Sequence, residues 1–204
     1  MTKFGLVVLG AHIGIHIKSE IEKILPEKVL LVEPVPHNVV EIKKNLNNLE
    51  GIIIEQFALS DKNETRNFYF VKNTSIHKLK KHWSSGIGSF NKQHLLDHKS
   101  KRFKIEEEDI DKISIEAIRF KDLVDKYNIN QIDKLLVDVE GSEFIILNDI
   151  DLNSIKIKKI IFEYKHFDGY QTTGKKLEEI LKKFKENGYT TKKIDEENIL
   201  ATKS

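Results

Sequence analysis

The sequence predicts an α/β fold built on a doubly wound, mostly parallel sheet. Short apolar runs at residues 6–9 and 29–32 show no polar alternation, which is typical of strands buried on both faces. Between these runs lie segments with apolar residues every three or four positions, which is typical of helices packed on a sheet. Short connections between strand and helix favour right-handed crossovers, as doubly wound sheets have.

The first sixty residues predict three strands and two helices. The first helix repeats apolar residues from His16 to Leu25 and stops at Pro26, which cannot continue a helix interior. The second helix follows two prolines and is closed by Gly51. Strands are expected at residues 6–9, 29–32 and 52–54, and helices at 16–25 and 39–49.

Alternation breaks between residues 61 and 119, a segment that we call the insertion. Two strands are expected there, at 67–71 and 113–118, with a lysine-rich stretch and then the acidic residues 106–109 between them. Such a segment is expected on the rim of the sheet. After it, helices are expected at 121–127, 142–149 and 175–185, strands at 134–139 and 159–163, and a terminal antiparallel hairpin at 189–194 and 199–202.

Length and composition exclude several classes of protein. A chain of 204 residues predicts one domain, spanning 1–204 with the insertion inside it. Lys and Arg total 34 and Asp and Glu 32, a balance that argues against a nucleic-acid or membrane-surface protein. The absence of cysteine excludes disulfides and thiolate metal sites. The first apolar run is too short for a signal peptide or a membrane span, so we expect a cytoplasmic protein.

The loop after the first strand and the end of the second strand predict an adenosyl ligand. Gly10 and Gly14 allow a tight turn, with a ligand close to the N-terminus of the next helix. Their G-x-x-x-G spacing fits the dinucleotide fingerprint poorly. Glu33 follows about 20 residues later, as expected for an acid that binds ribose hydroxyls. The alternative is a structural turn with a surface glutamate.

Four segments carry a resemblance to a known family. Residues 31–38, L-V-E-P-V-P-H-N, resemble the E-P-x-P-x-N segment of the FkbM family of S-adenosylmethionine-dependent methyltransferases, and residues 10–14 resemble its G-A-N-x-G. Residues 57–61 resemble its V-A-L-S-D segment, and residues 132–143 resemble its I-D-x-x-K-x-D-x-E-G-x-E segment. The resemblance covers nearly the whole chain.

The resemblance implies a seven-stranded methyltransferase fold with S-adenosylmethionine as cofactor. It also implies methyl transfer to a hydroxyl of a sugar, glycan or secondary metabolite. Glu33 would hold the ribose, the backbone of 10–14 the methionyl end, and the turn at 58–60 the adenine edge. The cofactor-binding residues expected on this basis are Gly10, Ala11, His12, Gly14, Glu33, Pro34, Asn38, Ala58, Leu59 and Ser60.

An alcohol acceptor must lose a proton, and four residues are candidates for the base. Asp138 and Glu140 follow one strand, and Glu163 and His166 lie at the end of the next, so all four should meet at the edge where open α/β sheets bind ligands. The alternative is that they hold Mg²⁺ or another hard cation, which would acidify the hydroxyl instead. Glu143 is expected to cap the next helix.

Three positions depart from the family pattern. Val8 stands where the family usually has aspartate, Leu136 where it usually has lysine, and His12 where it usually has asparagine. Loss of the aspartate could remove an anchor for the amino group of the cofactor. A non-catalytic adenosyl-binding or partner-docking protein is therefore one alternative function.

The insertion suggests a second alternative. Residues 83–90 place Trp83 and Phe90 near lysines, so RNA methylation is conceivable, although a solvated loop is the simpler interpretation. If this segment folds over the cofactor, it forms a lid. Residues 74–112 and the loop at 169–171 are expected to set acceptor selectivity. The pairs His12/His16 and His94/His98 have zinc-like spacing but no third ligand in register, which favours surface histidines.

Overall fold

The computed structural model describes residues 1–80, 82–97, 104–168 and 174–203, with the backbone alone at 82 and 83. The strands are β1 (Thr2–Leu9), β2 (Val29–Val32), β3 (Ile52–Glu55), β4 (Ala58–Leu59), β5 (Glu64–Val71), β6 (Gly88–Ser89), β7 (Ile110–Ile118), β8 (Ile129–Val137), β9 (Lys156–Glu163), β10 (Tyr189–Lys193) and β11 (Asn198–Lys203). The α-helices are α1 (Lys18–Ile24), α2 (Pro36–Asn45), α3 (Asn73–Leu79), α4 (Lys92–Leu96), α5 (Phe120–Lys126), α6 (Glu143–Asp149) and α7 (Lys175–Glu186).

The main sheet has seven strands in the order β10-β11-β9-β8-β1-β2-β3. In this sheet the five strands β9, β8, β1, β2 and β3 are parallel to one another, and β11 is antiparallel to both β9 and β10. The chain leaves β1 toward β2 on one side and later returns to β8 on the other. The carboxyl ends of β1 and β8 therefore flank the point where the strand order reverses, which is where open α/β sheets bind ligands.

The sheet is covered on both faces, as its continuous apolar strands predict. Val7 and Leu9 of β1 pack in a core that also contains residues of α5, α6 and α7. Leu6 and Val8 pack on the opposite side, with residues of α1 and α2. The alternation of neighbouring residues between two cores follows from the period of two along a strand. The predicted doubly wound fold with a C-terminal antiparallel hairpin is confirmed.

The insertion forms a second sheet in the order β4-β7-β5-β6. Its long strands β5 and β7 pair in antiparallel register from Glu64 opposite Ala117 to Val71 opposite Ile110. The polar stretch between the two strands contains α3, α4 and a 3-10 turn at His82–Gly86. These elements enclose a small core of their own, formed by Val71, Leu79, Ile87, Leu95, Ile105 and Ile110.

Several element boundaries differ from the prediction, among them the end of α2 and the start of β8. Helix α2 ends at Asn45, so Gly51 stands directly before β3 instead of closing the helix. Strand β8 begins at Ile129, five residues earlier than predicted. Its polar residue Asp133 is accommodated by Lys3 of β1 at 3.0 Å and Lys158 of β9 at 2.8 Å, one on each neighbouring strand. Among the helices of the described ranges, none combines the length and apolarity that a bilayer crossing requires.

Candidate active site

The loop after β1 lies directly against the end of β8. Gly10 has φ +87°, and a Cβ atom on it would lie 1.6 Å from the carbonyl oxygen of Asp138. The N–H of Asp138 donates to the carbonyl of Leu9 at 3.0 Å, which holds the two strand ends together. Only glycine fits this close approach. The backbone around Gly10 therefore forms the floor of a cleft.

Glu33 stands at the end of β2 on one side of this cleft, with only 4% of its surface exposed. One carboxylate oxygen accepts the backbone N–H of His12 at 2.8 Å. The other accepts the N–H of Val35 at 2.9 Å and the side-chain amide of Asn38 at 3.2 Å. Burial raises the pKa of Glu33 to about 7, although these hydrogen bonds oppose the shift. Hydroxyl donors would stabilise its ionised form further.

The cleft has two parts that meet at Gly10, Glu33 and Asp138. The first part is narrow, about 40 Å³, and largely apolar; its lining includes Pro34, Val35, Ala58, Leu59, Phe68, Gly86, Gly88 and Phe90. The second part is more open, about 350 Å³, and its lining includes His12, Ile13, His16, Gly86 and Glu140. Pockets for nucleoside-sized ligands usually hold about 300–1,000 Å³. A nucleoside therefore fits the first part only if the residues at 86–90 move outward.

The insertion covers the cleft through Ser85 and Gly86. The hydroxyl of Ser85 and Nε2 of His12 are 2.5 Å apart. The carbonyl of Ser85 accepts the side-chain amide of Asn38 at 2.8 Å. A Cβ on Gly86 would lie 3.4 Å from the ring of His12, so the two segments are in close contact. This is the placement expected of a lid; the side chain of Trp83 lies outside the described residues.

The four candidate catalytic residues meet at the carboxyl end of β8 and β9. Nε2 of His166 lies 3.3 Å from a carboxylate oxygen of Glu140 and 3.7 Å from one of Glu163. The other oxygen of Glu163 forms an ion pair with Lys165. Asp138 belongs to the same cluster and faces the cleft. The structure thus brings together the residues that sequence order alone predicted to converge.

The acids of this cluster differ in proton affinity. Asp138 is exposed to the cleft, but the surrounding protein limits its hydration, which disfavours the ionised carboxylate. The negative charges of Glu140 and Glu143 disfavour it further. Together they raise the pKa of Asp138 to about 7. Burial alone would raise the pKa of Glu140, but the hydrogen bond from His166 and the charge of Lys165 outweigh it and lower the pKa to about 2. Burial and the neighbouring carboxylates raise the pKa of Glu163. At neutral pH, Asp138 can therefore both accept and release a proton.

Glu143 lies in the first turn of α6 as predicted, but its carboxylate binds the turn that precedes the helix instead of capping it. It is the first residue of α6, and its carboxylate accepts the N–H groups of Val139 at 2.9 Å and Gly141 at 3.0 Å. Between these residues, Glu140 has φ +53°, a conformation that costs a non-glycine residue about 1–2 kcal/mol. The carboxylate of Glu143 holds the turn that presents Glu140 to His166.

Four of the expected cofactor-binding residues lie behind the cleft lining. Ala11 is fully buried in the core, and Gly14 packs against Leu46 and Ile42 of the α2 region. Ser60 is buried, and its hydroxyl donates to Asp61 at 3.2 Å. Asn38 is fully buried and contacts Glu33. Their side chains shape the cleft, and their direct contact with a cofactor stays a prediction.

Sequence reasoning missed His94, Lys165 and the phenylalanines of the apolar part. His94, interpreted above as a surface histidine, lies on α4 with its ring centroid 5.0 Å from that of His166, so that interpretation was wrong. Its partners come from β8 and β9, more than forty residues away in sequence, and no local spacing signals them. Within the described ranges, His12 and His16 have no third metal-ligating side chain in reach. His98 and the loop at 169–171 lie outside the described residues.

The two strand positions that depart from the family pattern are neighbours. Val8 of β1 pairs in register with Leu136 of β8 on one side and with Leu31 of β2 on the other. Val8 is 2% exposed, and Leu136 packs against the same apolar cluster. An apolar pair therefore occupies both positions, and neither leaves a charge buried without a partner.

A seven-stranded sheet with one antiparallel strand, a glycine loop after β1 and a buried acid after β2 define an α/β protein of Rossmann-like architecture with a ligand cleft at the carboxyl edge of the sheet. The model of the methyltransferase FkbM domain matches residues 9–191. The chain therefore belongs to the FkbM methyltransferase family, and its recognition from the sequence motifs is confirmed. A comparison with curated proteins finds no significant match.

Solved structures similar to the chain include several methyltransferases. Fibrillarin from Aeropyrum pernix, with natively bound S-adenosyl-L-methionine, is 12% identical with a TM-score of 0.49; the alignment covers 98% of this chain and 66% of that one. Precorrin-6y C5,15-methyltransferase from Geobacter metallireducens is 12% identical with a TM-score of 0.46, covering 100% and 82%. The N-methyltransferase NodS from Bradyrhizobium japonicum is 9% identical with a TM-score of 0.40, covering 100% and 86%. The family assignment rests on the family model alone.

Proposed function

We propose that the protein transfers the methyl group of S-adenosylmethionine to a hydroxyl oxygen of a sugar, glycan or secondary metabolite in the cytoplasm. The observation that carries this proposal is the position of Asp138, which lines both parts of the cleft. The pKa of Asp138, raised to about 7, suits a general base at neutral pH.

The residues present fit this cofactor. Glu33 offers a buried carboxylate to the ribose hydroxyls, and the apolar residues beside it offer a slot for the adenine once the residues at 86–90 move outward. Gly10 lets the loop lie directly against Asp138, because a Cβ there would meet the Asp138 carbonyl oxygen at 1.6 Å, so the floor of the cleft is bare backbone. The methionyl end would lie in the open part, beside His12 and the ionised Glu140. When bound, S-adenosylmethionine supplies an electrophilic methyl group on a positively charged sulfur.

The chain itself supplies position, charge and a proton acceptor. Asp138 accepts the proton of the acceptor hydroxyl as the oxygen becomes nucleophilic. Glu140 remains ionised beside His166 and gives the open part of the cleft a negative charge that favours a cation. The segment at 85–86 covers the cleft and limits the access of water.

Calorimetric titration tests the cofactor first. Titration with S-adenosylmethionine and with S-adenosylhomocysteine is expected to give micromolar binding, about −8 kcal/mol. A positive result justifies a screen of hydroxylated acceptors, in which sugars and glycans come first. No binding of either compound would contradict the proposal and favour the non-catalytic alternative.

Two observations weigh against the alternative functions. The non-catalytic alternative was motivated by Val8 and Leu136, but these form a matched apolar pair, and Glu140 can supply a carboxylate near the methionyl end. RNA methylation was motivated by basic residues of the insertion. Two of these pair with the acidic run: Lys78 lies 2.9 Å from Asp109, and Lys92 lies 2.7 Å from Glu107. RNA binding that falls steeply with salt would restore that alternative.

A further inference from the structure

We infer that His94, Glu140 and His166 form a binding site for one divalent transition-metal ion such as Zn²⁺. One ligand atom from each residue lies within 4.8 Å of those of the other two. Nε2 of His166 and a carboxylate oxygen of Glu140 are 3.3 Å apart, and the rings of the two histidines stand edge to face. Three side chains from three separate elements of the fold thus converge on one point.

The donor set determines the class of metal. Two imidazoles and one carboxylate are the three protein ligands of many catalytic zinc sites, in which the fourth position remains open. Imidazole nitrogen suits Zn²⁺, Co²⁺ and Ni²⁺, whereas Mg²⁺ prefers an all-oxygen set. The other acidic group, Asp138, Glu143 and Glu163, is a poorer candidate because Glu143 already accepts the N–H groups of Val139 and Gly141, and Glu163 pairs with Lys165.

Glu163 provides an independent observation that points to a cation. Its side chain is 4% exposed, and its second carboxylate oxygen has no hydrogen-bond donor among the described residues. That oxygen lies 3.7 Å from Nε2 of His166, so it is directed toward the same space. A buried carboxylate oxygen without a donor is unfavourable, and a cation bound between the imidazoles and Glu140 would stabilise it.

The strained backbone at Glu140 is consistent with this assignment. Its φ of +53° is uncommon outside glycine, and such conformations cluster at functional sites. Gly141, the next residue, lies beside His94: a Cβ there would be in van der Waals contact with its ring, at 3.6 Å. The turn therefore presents the carboxylate and admits the imidazole of α4 at the same place.

The ion would serve the proposed methyl transfer, and this part of the inference rests on that function. Glu140 lines the open part of the cleft together with Asp138. A metal at this position would polarise the acceptor hydroxyl and lower its pKa. The ion would also link α4 of the insertion to the carboxyl edge of the main sheet. His94 belongs to the insertion, whereas Glu140 and His166 lie just after β8 and β9 of the main sheet.

The experiment titrates Zn²⁺ and Co²⁺ into chelator-treated protein without cofactor. We expect one equivalent to bind with micromolar or tighter affinity and Co²⁺ to develop a visible absorption band. His94→Ala and Glu140→Gln are each expected to weaken binding at least 100-fold and to remove the band. His77→Ala, an exposed histidine of the same insertion, is the matched control and should bind as the wild type does.

Two results would overturn the inference. One is the absence of stoichiometric binding at micromolar metal, and the other is unchanged affinity and spectrum in both His94→Ala and Glu140→Gln. Circular dichroism of each variant checks that it is folded. A parallel titration with S-adenosylmethionine in the presence of chelator tests the cofactor without metal, so failure of the metal site and failure of the proposed function give different results.

Discussion

Replacement of Glu33 by glutamine should change how the stability of the protein depends on pH. Burial raises the pKa of this carboxyl from 4.5 to about 7 in the folded protein. Between these two pH values the folded state holds a proton that the unfolded state has released. The free energy of unfolding of the wild type therefore falls as the pH rises through this window.

The magnitude follows from the two pKa values. Each pH unit between 4.5 and about 7 corresponds to about 1.4 kcal/mol, so the total is about 3 kcal/mol. Glu33 is almost fully buried, and solvent screening does not reduce this figure appreciably. Because Glu33→Gln cannot titrate, the difference in unfolding free energy between wild type and variant should shift by about 3 kcal/mol, in favour of the variant, from pH 4.5 to pH 7.5.

Urea denaturation followed by circular dichroism at several pH values measures this difference. The subtraction cancels other titrating groups, including Asp138, because they are present in both proteins. Glu22→Gln removes an exposed carboxyl of α1 and is the control for the loss of one carboxylate by itself. Parallel pH profiles for the wild type and Glu33→Gln would refute the assignment of a raised pKa to Glu33. The variant should also lose cofactor affinity, which links the unfavourable burial to function.

Three further predictions concern the proposed general base, the glycine loop and the apolar pair. Asp138→Asn should lower kcat by about 10²–10⁴-fold while calorimetry shows cofactor binding close to wild type; retained turnover would remove Asp138 from the mechanism. Gly10→Ala and Gly51→Ala both add a Cβ at positive φ, but only the Cβ at position 10 would meet a backbone atom. Urea denaturation should therefore show a loss of about 1 kcal/mol in unfolding free energy for Gly51→Ala and of several kcal/mol for Gly10→Ala. Equal losses would contradict the close approach of Gly10 to Asp138. Val8→Asp should lower the free energy of unfolding by about 3–5 kcal/mol, measured in the same way, because it buries a charge without a partner. Adding Leu136→Lys on the neighbouring strand should restore part of this stability. A double variant no more stable than Val8→Asp would show that the two positions are not coupled.

Periodicity was sufficient to predict the sheet and its helices. The strands β1 and β2 are apolar without alternation, and such runs have few alternatives in an α/β chain. The start of β8 was not predictable in this way, because Asp133 in isolation is typical of a loop. Its place in the strand depends on Lys3 and Lys158, which only the folded sheet brings beside it. The local pattern of polar and apolar residues carries no information about a partner that is distant in sequence.

The candidate site likewise contains residues whose position could be predicted from the sequence and one whose position could not. Asp138 and Glu140 follow β8, and Glu163 and His166 lie at the end of β9. Both strands were predicted, and the carboxyl ends of parallel strands share one edge of the sheet, so the convergence of these residues could be expected. His94 comes from the insertion, where the sequence showed no regular alternation to place it. Its approach to His166 depends on the docking of the second sheet, which is a tertiary property.

The side chain of Asn38 connects Glu33 on one side with the backbone of Ser85 on the other. From the sequence alone, the insertion could be regarded as a separate segment that can be replaced to change the choice of acceptor. In the structure it is not separable, because Gly86, Gly88 and Phe90 complete the wall of the pocket beside Glu33. An insertion transplanted from a relative would therefore rebuild the wall of the pocket beside Glu33 together with the face proposed to select the acceptor, so the two properties cannot be exchanged separately.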